Sequence, residues 1–448
     1  MKTSQKLISL LLVFVMIFCL ASCSLQETFE LIFPVKGIKE DNSLGYTEVS
    51  RMFITYNPLY IQNTTKNAYD ALDTQGKKEL YNMLEENVYY IYNGEENLEG
   101  YQIPFYKTKQ VVLDGYKLTE SDVRVVIKAL TDDNSDIFWT STTFGYLMDS
   151  ERNYTAVQLY SYFSAEEVKS KLDELSVAID EFYLDVPQDY NNYQLEKYTH
   201  DYIIDNCDYD TDISSSDLTK SFTSDSFSIY GTLVNHKAVC EGYSRTFKFL
   251  TSGLGLNTIN IIGDSHDQLH MWNAITLGND WYYVDVTWDD SDEEFNKYDY
   301  FNINEEVLLD DHVPSPVYTD LSSEEINGDS LENDPSTMNI ILPSCEEMAY
   351  NYYVRTCAHL TDYDGEALIT SLFVSASEQR DYCQIYIDPE YLDFNDAVDN
   401  IVRYEPMYIT DYVDKVNNML SGYKIDIYDL SYIDNEKLHT LTIFLNYI

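Results

Sequence analysis

An α+β protein is predicted, with helical and extended segments both strongly marked along the 448 residues. Three observations carry this. Ser164-Ala165-Glu166-Glu167 is a capping box, and Val168, Leu172, Leu175, Ile179 and Phe182 follow it at helical spacing. Residues 270–290, "HMWNAITLGNDWYYVDVTWDD", hold two β-rich runs around Gly278-Asn279-Asp280, a hairpin signal. Finally, about 420 residues remain after a short N-terminal leader, more than one core usually serves, so two or three domains are expected.

The leader comes first. Lys2 and Lys6 precede an apolar run from Leu7 to Leu20, and Leu20-Ala21-Ser22-Cys23 closes it. Charge, length and small-residue exit mark a secretory signal. It resembles a bacterial lipoprotein signal, which implies a signal peptide over 1–22 and lipidation of Cys23. Residues 23–50 would then be a tether. No later stretch of the sequence is apolar for the roughly 20 residues that a span needs. The expected location is extracytoplasmic, lipid-anchored to the bacterial cell membrane through Cys23 only.

Residues 51–186 mix helix and strand signals and are read as an N-terminal accessory α+β domain. "ESDVRVVIKAL" within it reads as a helix, "TAVQLYSYF" as a strand, and the capped helix from Ser164 runs up to Pro187. A further helix, about Tyr193 to Asn206, begins a domain over 187–312. From 313 to 337 the chain turns polar and acidic with three prolines, which is linker composition. Over 338–448, strands such as "YCQIYI" and "HTLTIFLNYI" alternate with helical stretches near 365–375 and 411–420, giving a C-terminal α+β domain.

Seventy-seven acidic against 28 basic residues leave a net charge of −49. Such a surface repels nucleic acid and anionic headgroups, so neither is an expected partner. Apart from Cys19 in the leader and Cys23, the cysteines are Cys207, Cys240, Cys345, Cys357 and Cys383. An odd number in an exported chain leaves at least one thiol unpaired. Cys207 reads as a small buried hydrophobe, and a disulfide among Cys345, Cys357 and Cys383 is expected to be feasible. No CxxC or close Cys/His cluster has zinc spacing, so no metal or cofactor is expected.

Cys240 precedes Tyr243, Phe247 and Leu250 at i, i+4 and i+7, and Gly253 and Gly255 end that run. The cysteine therefore falls in the first turn of a helix, where the dipole favours a thiolate. "LNTINII", 256–262, reads as a strand, and "GDSHDQL" as a polar loop. His270 then opens one strand of the hairpin and Asp285 nears the end of the other. A four-residue loop, Leu277 to Asp280, would set Thr276 against Trp281 and His270 against Thr287, with Asp285 a diagonal neighbour about 7–8 Å away. In that arrangement His270 can take the Cys240 proton while Asp285 orients the imidazole.

The blocks "YGTLVNHKAVCEGYSRTFKFL", "HMWNAI" and "WYYVDVTWDD" resemble the transglutaminase-like superfamily. The match covers about residues 193–305, with "HDYIIDNCDYD" upstream and "YDYFNI" downstream. It implies a papain/transglutaminase-like core, a nucleophile helix packed on an antiparallel sheet, with a triad of Cys240, His270 and Asp285 in that chain order. Together with the lipoprotein-like leader it points to a surface-anchored thiol enzyme acting on protein or peptide amides through a Cys240 thioester, with cell-wall-associated protein or peptide among the expected partners. Water as acceptor makes it a protease or amidase, and an amine makes it a transglutaminase. A non-catalytic cell-surface binding or assembly module on the same fold is the alternative.

Neighbouring residues carry weaker signals. Trp272 and Trp288 flank the triad and are candidate walls of a substrate groove, with core packing the ordinary role of tryptophan. "HDQLH", His266 to His270, differs from a zincin motif by one residue, but its loop and strand context denies it the helix that motif needs. "DYDTDISSSD" from Asp208 lacks the glycine and the glutamate of a calcium loop. His200 lies on the 193–206 helix and reads as packing. The backbone N–H of Cys240, with a side chain from 227–235, is the expected oxyanion donor set.

Overall fold

The computed structural model describes residues 35–36, 45–50, 65–98, 103–113, 115–213, 224–266, 268–291, 293–318 and 337–448. The leader, Cys23, most of the tether and most of the 313–337 linker lie outside them. Among the described residues no helix is long and apolar enough to cross a membrane. Helices and sheets are both present throughout, and the chain divides into two compact units: residues 1–276 with 311–343, and residues 277–310 with 344–448. The division falls inside the predicted 187–312 domain.

In the first unit, strands β1 (Val35–Lys36), β2 (Tyr46–Glu48), β3 (Tyr90–Asn97), β4 (Pro104–Thr108), β5 (Val111–Val112), β6 (Thr140–Met148) and β7 (Tyr154–Ser161) form one sheet. Its order is β1-β6-β7-β4-β3-β2, with β5 added to β7. Helices α1 (Asn67–Ala71), α2 (Gln75–Asn87) and α3 (Glu120–Asp133) belong to the same core, which buries Leu80, Tyr81, Val126, Leu130 and Trp139. Thr119 and Asp122 close a capping box at the start of α3.

Helix α4 (Ala165–Asp185) starts where the sequence predicts, with Ser164 and Glu167 capping reciprocally. Its predicted apolar face, Val168, Leu172, Leu175, Ile179 and Phe182, is buried throughout. Helix α5 (Asn192–Asn206) carries His200, fully buried with Nδ1 3.1 Å from Asp201 Oδ1. After it, Asp208–Tyr209 pairs in parallel with Lys237–Ala238. The calcium-loop-like stretch runs out of the described residues after 213.

Helix α6 (Cys240–Gly253) then packs on β8 (Thr258–Ser265). Tyr183 Oη at the end of α4 donates to the Leu250 carbonyl at 3.0 Å. Arg245 Nη1 donates to the Thr131 carbonyl at 2.8 Å, and Lys248 Nζ donates to the Asp132 carbonyl. These are last-turn carbonyls of α3, which have no partner within their own helix. The Cys240 helix is thus bound to the part of the chain read from sequence as a separate accessory domain.

Strand β9 (Gln268–Leu277) runs antiparallel to β8, Ser265 opposite Gln268 and Gly263 opposite His270. The predicted loop 263–269 is therefore mostly strand, and only His266 and Asp267 separate the two. His312–Pro314 adds to the other edge of β8, with Ser265 opposite His312. Asn339 fastens that edge, accepting from Ile262 N–H at 2.9 Å and donating to the Ser315 carbonyl at 2.7 Å.

In the second unit, β10 (Asp280–Val284) pairs with β11 (Phe301–Ile303). Only Gly278 and Asn279 separate β9 from β10, so the predicted four-residue loop is corrected to two. Gly278 has φ +66°, which a type II′ turn requires at that position. A second sheet holds β12 (Ala358–Leu360), β13 (Tyr382–Ile387), β14 (Ser431–Asn435) and β15 (Thr440–Phe444) in the order β12-β13-β15-β14. It shares a core with the helices Glu366–Ser377 and Ile409–Met419, where Leu368, Leu372, Val413 and Val416 are buried. Cys345, Cys357 and Cys383 are free thiols, so the disulfide that the sequence leaves feasible among them is not formed. Burial pushes all three of those thiols up to about 12.

Candidate active site

Cys240 is the first residue of α6, preceded by Val239 in extended conformation (φ −101°, ψ 178°). Val239 N–H donates to the Ser226 carbonyl at 2.9 Å and its own carbonyl accepts from Tyr243 N–H at 3.1 Å, which fixes the entry to the helix. The position is the predicted one, with the helix dipole's positive end at the sulfur. Cys240 is only 4% exposed. Within the 227–235 stretch, Thr232 is buried.

One turn further on, Ser244 Oγ donates to the Met271 carbonyl at 2.8 Å, and Asn273 Nδ2 donates to the Ser244 carbonyl at 3.0 Å. The first turns of α6 and the start of β9 are held together by this exchange, which puts Cys240 and His270 on directly joined elements. His270 is 8% exposed.

Trp272 lies two residues along β9 from His270, and its ring stacks near the imidazole, centroids 5.9 Å apart with 24° between planes. Trp272 is fully buried and packs against the histidine, the ordinary role of tryptophan. Its ring covers Gly263: a Cβ there would lie 2.6 Å from Trp272 Cη2 and would also strike the Val313 carbonyl.

His312 was not singled out by sequence. It is fully buried, its ring centroid 5.3 Å from that of His270 and 5.0 Å from that of Trp272, edge-on to the indole. A ring nitrogen of His312 lies within 4.8 Å of one of His270. His312 Nδ1 meets Asp311 Oδ1 at 2.5 Å. No spacing motif links "DDHVP" to "HMWNAI"; the two meet only because both flank β8.

Asp285 belongs to the second unit. It lies one residue beyond β10 and caps the short helix α7 (Val286–Asp289), Oδ1 accepting from Thr287 N–H at 2.9 Å and Trp288 N–H at 3.1 Å. Thr287 is therefore helical, which removes the strand pairing expected between it and His270. Trp288 is half-buried, its ring edge-on to Tyr300 at 5.3 Å. Nearby, Asp299 accepts from Tyr353 Oη at 2.5 Å. Burial pushes that carboxyl up to about 7, the Tyr353 hydroxyl opposing the shift and the charge of Asp289 adding to it.

Of "HDQLH", His266 lies in a turn at φ +52° and Gln268 to His270 are strand. The stretch presents no helical face for two zinc-binding histidines.

No family model matches the chain, and no curated protein matches it. Among solved structures, one described as "Crystal structure of a TGase" is similar over 34% of this chain and 53% of its own, at 12% identity and TM-score 0.23. A second, described as a "Putative Cysteine Protease from Cytophaga hutchinsonii", is similar over 37% and 58%, at 13% identity and TM-score 0.21. The chain thus matches little more than half the length of either.

Proposed function

We propose that the protein is a surface-anchored, transglutaminase-like thiol enzyme acting on protein or peptide amides, with Cys240 as nucleophile, His270 as base and Asp285 as the orienting acid. The observation that carries this reading is the position of Cys240 at the first residue of a 14-residue helix whose next turn is hydrogen-bonded to the strand that carries His270. A thiol at a helix N-terminus beside an imidazole is the arrangement that converts a weak nucleophile into a reactive one.

The chemistry follows in two halves. The Cys240 proton passes to His270, and the sulfur attacks the substrate carbonyl carbon. As the tetrahedral species collapses, the C–N bond breaks and the imidazolium gives its proton to the departing amine or ammonia, leaving an acyl thioester. A water or a primary amine then attacks the thioester, His270 takes a proton from it, and the C–S bond breaks to restore the thiol. Near-complete burial of Cys240 and His270 supports a narrow approach to the sulfur, which would favour an extended or flexible segment of substrate.

The test is intact-mass analysis after incubation with a glutamine-rich protein, with and without a primary amine, comparing wild type with Cys240→Ala. Cys240-dependent amine incorporation identifies a transglutaminase, and Cys240-dependent cleavage or deamidation identifies a hydrolase. A chain whose Cys240 alkylates like a free thiol, near pH 8.5, and is indifferent to His270→Ala would overturn the reading in favour of a binding module.

A further inference from the structure

Within the first unit, His270 is one of three mutually packed rings, and the third is His312, more than 40 positions further along the chain. Two features separate it from ordinary core filling. A fully buried imidazole costs desolvation unless its nitrogens are satisfied, and here Nδ1 is held by Asp311 Oδ1 at 2.5 Å. Its ring also lies 5.3 Å from the His270 ring, with ring nitrogens within 4.8 Å, and 5.0 Å from the Trp272 ring that the imidazole also packs against.

We infer that His312, oriented by Asp311, is a positioning residue for His270. This rests on the reading of Cys240 and His270 as nucleophile and base. The ring packs on the His270 imidazole together with Trp272, which limits the orientations from which it can take the thiol proton. The Asp311 contact fixes which edge of His312 is presented, as a carboxylate commonly does for an imidazole that serves a site. The strand carrying His312 is in turn fixed by pairing to β8 and by Asn339. An imidazole free to rotate would spend much of its time out of reach of the sulfur, and the thiolate would lose its partner.

The experiment reads iodoacetamide alkylation of Cys240 against pH, followed by mass spectrometry, on the full chain as wild type, His312→Ala, Asp311→Ala and His270→Ala, with the melting temperature of each. Asp311 is partly exposed and its variant keeps the buried ring, so it remains informative if His312→Ala does not fold. The expected result is a midpoint raised by about one pH unit and a labelling rate at pH 7 lowered about tenfold in His312→Ala, with a smaller shift the same way in Asp311→Ala. A purely structural role would lower the melting temperature and leave the midpoint of the folded protein where it was; that result in both variants overturns the inference while the proposed function stands. A wild-type midpoint already near 8.5 and unmoved by His270→Ala overturns the proposed function, and this inference falls with it.

Discussion

Ser244 and Met271 are joined by a hydrogen bond from the serine hydroxyl to the methionine carbonyl, 2.8 Å long and wholly buried. It fastens the helix that begins at Cys240 to the strand residue after His270. Removing it leaves a buried carbonyl without its donor, which costs about 1–3 kcal/mol. Ser244→Ala should lower stability by that amount in urea unfolding. It should also slow alkylation of Cys240 at neutral pH, because the two elements lose their fixed alignment.

Gly263 is the second point at which small size decides geometry. Any side chain there collides with the Trp272 ring and with the backbone of the strand carrying His312. Gly263→Ala should therefore destabilise the fold by about 2–3 kcal/mol by overpacking. Indole emission should change with it, since Trp272 is the ring that must give way.

Asp299 makes the stability of the second unit depend on pH. Its carboxyl titrates near 3.8 when unfolded and near 7 when buried, so the fold favours the protonated form. That stabilisation is complete below about pH 4 and is lost as pH rises towards 7, a difference of a few kcal/mol. Asp299→Asn keeps an oxygen to accept from Tyr353 and cannot ionise. Denaturant midpoints measured from pH 4 to 8 should fall for the wild type and run flatter for the variant; parallel curves would refute the assignment.

The thiols give a chemical count. Cys345, Cys357 and Cys383, each pushed up to about 12, should resist alkylation at neutral pH in the folded protein, while Cys240 reacts. In denaturant without reductant all of them should label. A pair that labels only after reduction would show a disulfide that the structure lacks.

Local signals were legible and long-range ones were not. The Ser164 capping box, the apolar face of α4 and the start of α6 at Cys240 could all be read because cap chemistry and helical periodicity lie within a few residues of each other. The β8–β9 turn was misread because Asp264 and Ser265 look like loop residues, yet pair with Leu269 and Gln268. Leu277 and Asp280 were counted as loop for the same reason: hydrogen bonding across a sheet extends a strand past its apolar pattern. His312 left no trace, since its neighbour Trp272 is 40 positions away and only the strand order brings them together.

Arg245 and Lys248 reach from the Cys240 helix to the end carbonyls of α3, and Lys248 is wholly enclosed there, its amine pushed below its ordinary value by burial. A shortened protein beginning near residue 187 would retain every residue of the proposed triad. It would also carry that ammonium group on a surface with nothing left to receive it, beside an apolar helix flank stripped of its cover. The region before residue 187 therefore cannot be exchanged or trimmed as cargo, and recombination that swaps it between proteins should succeed only when the two helices travel together.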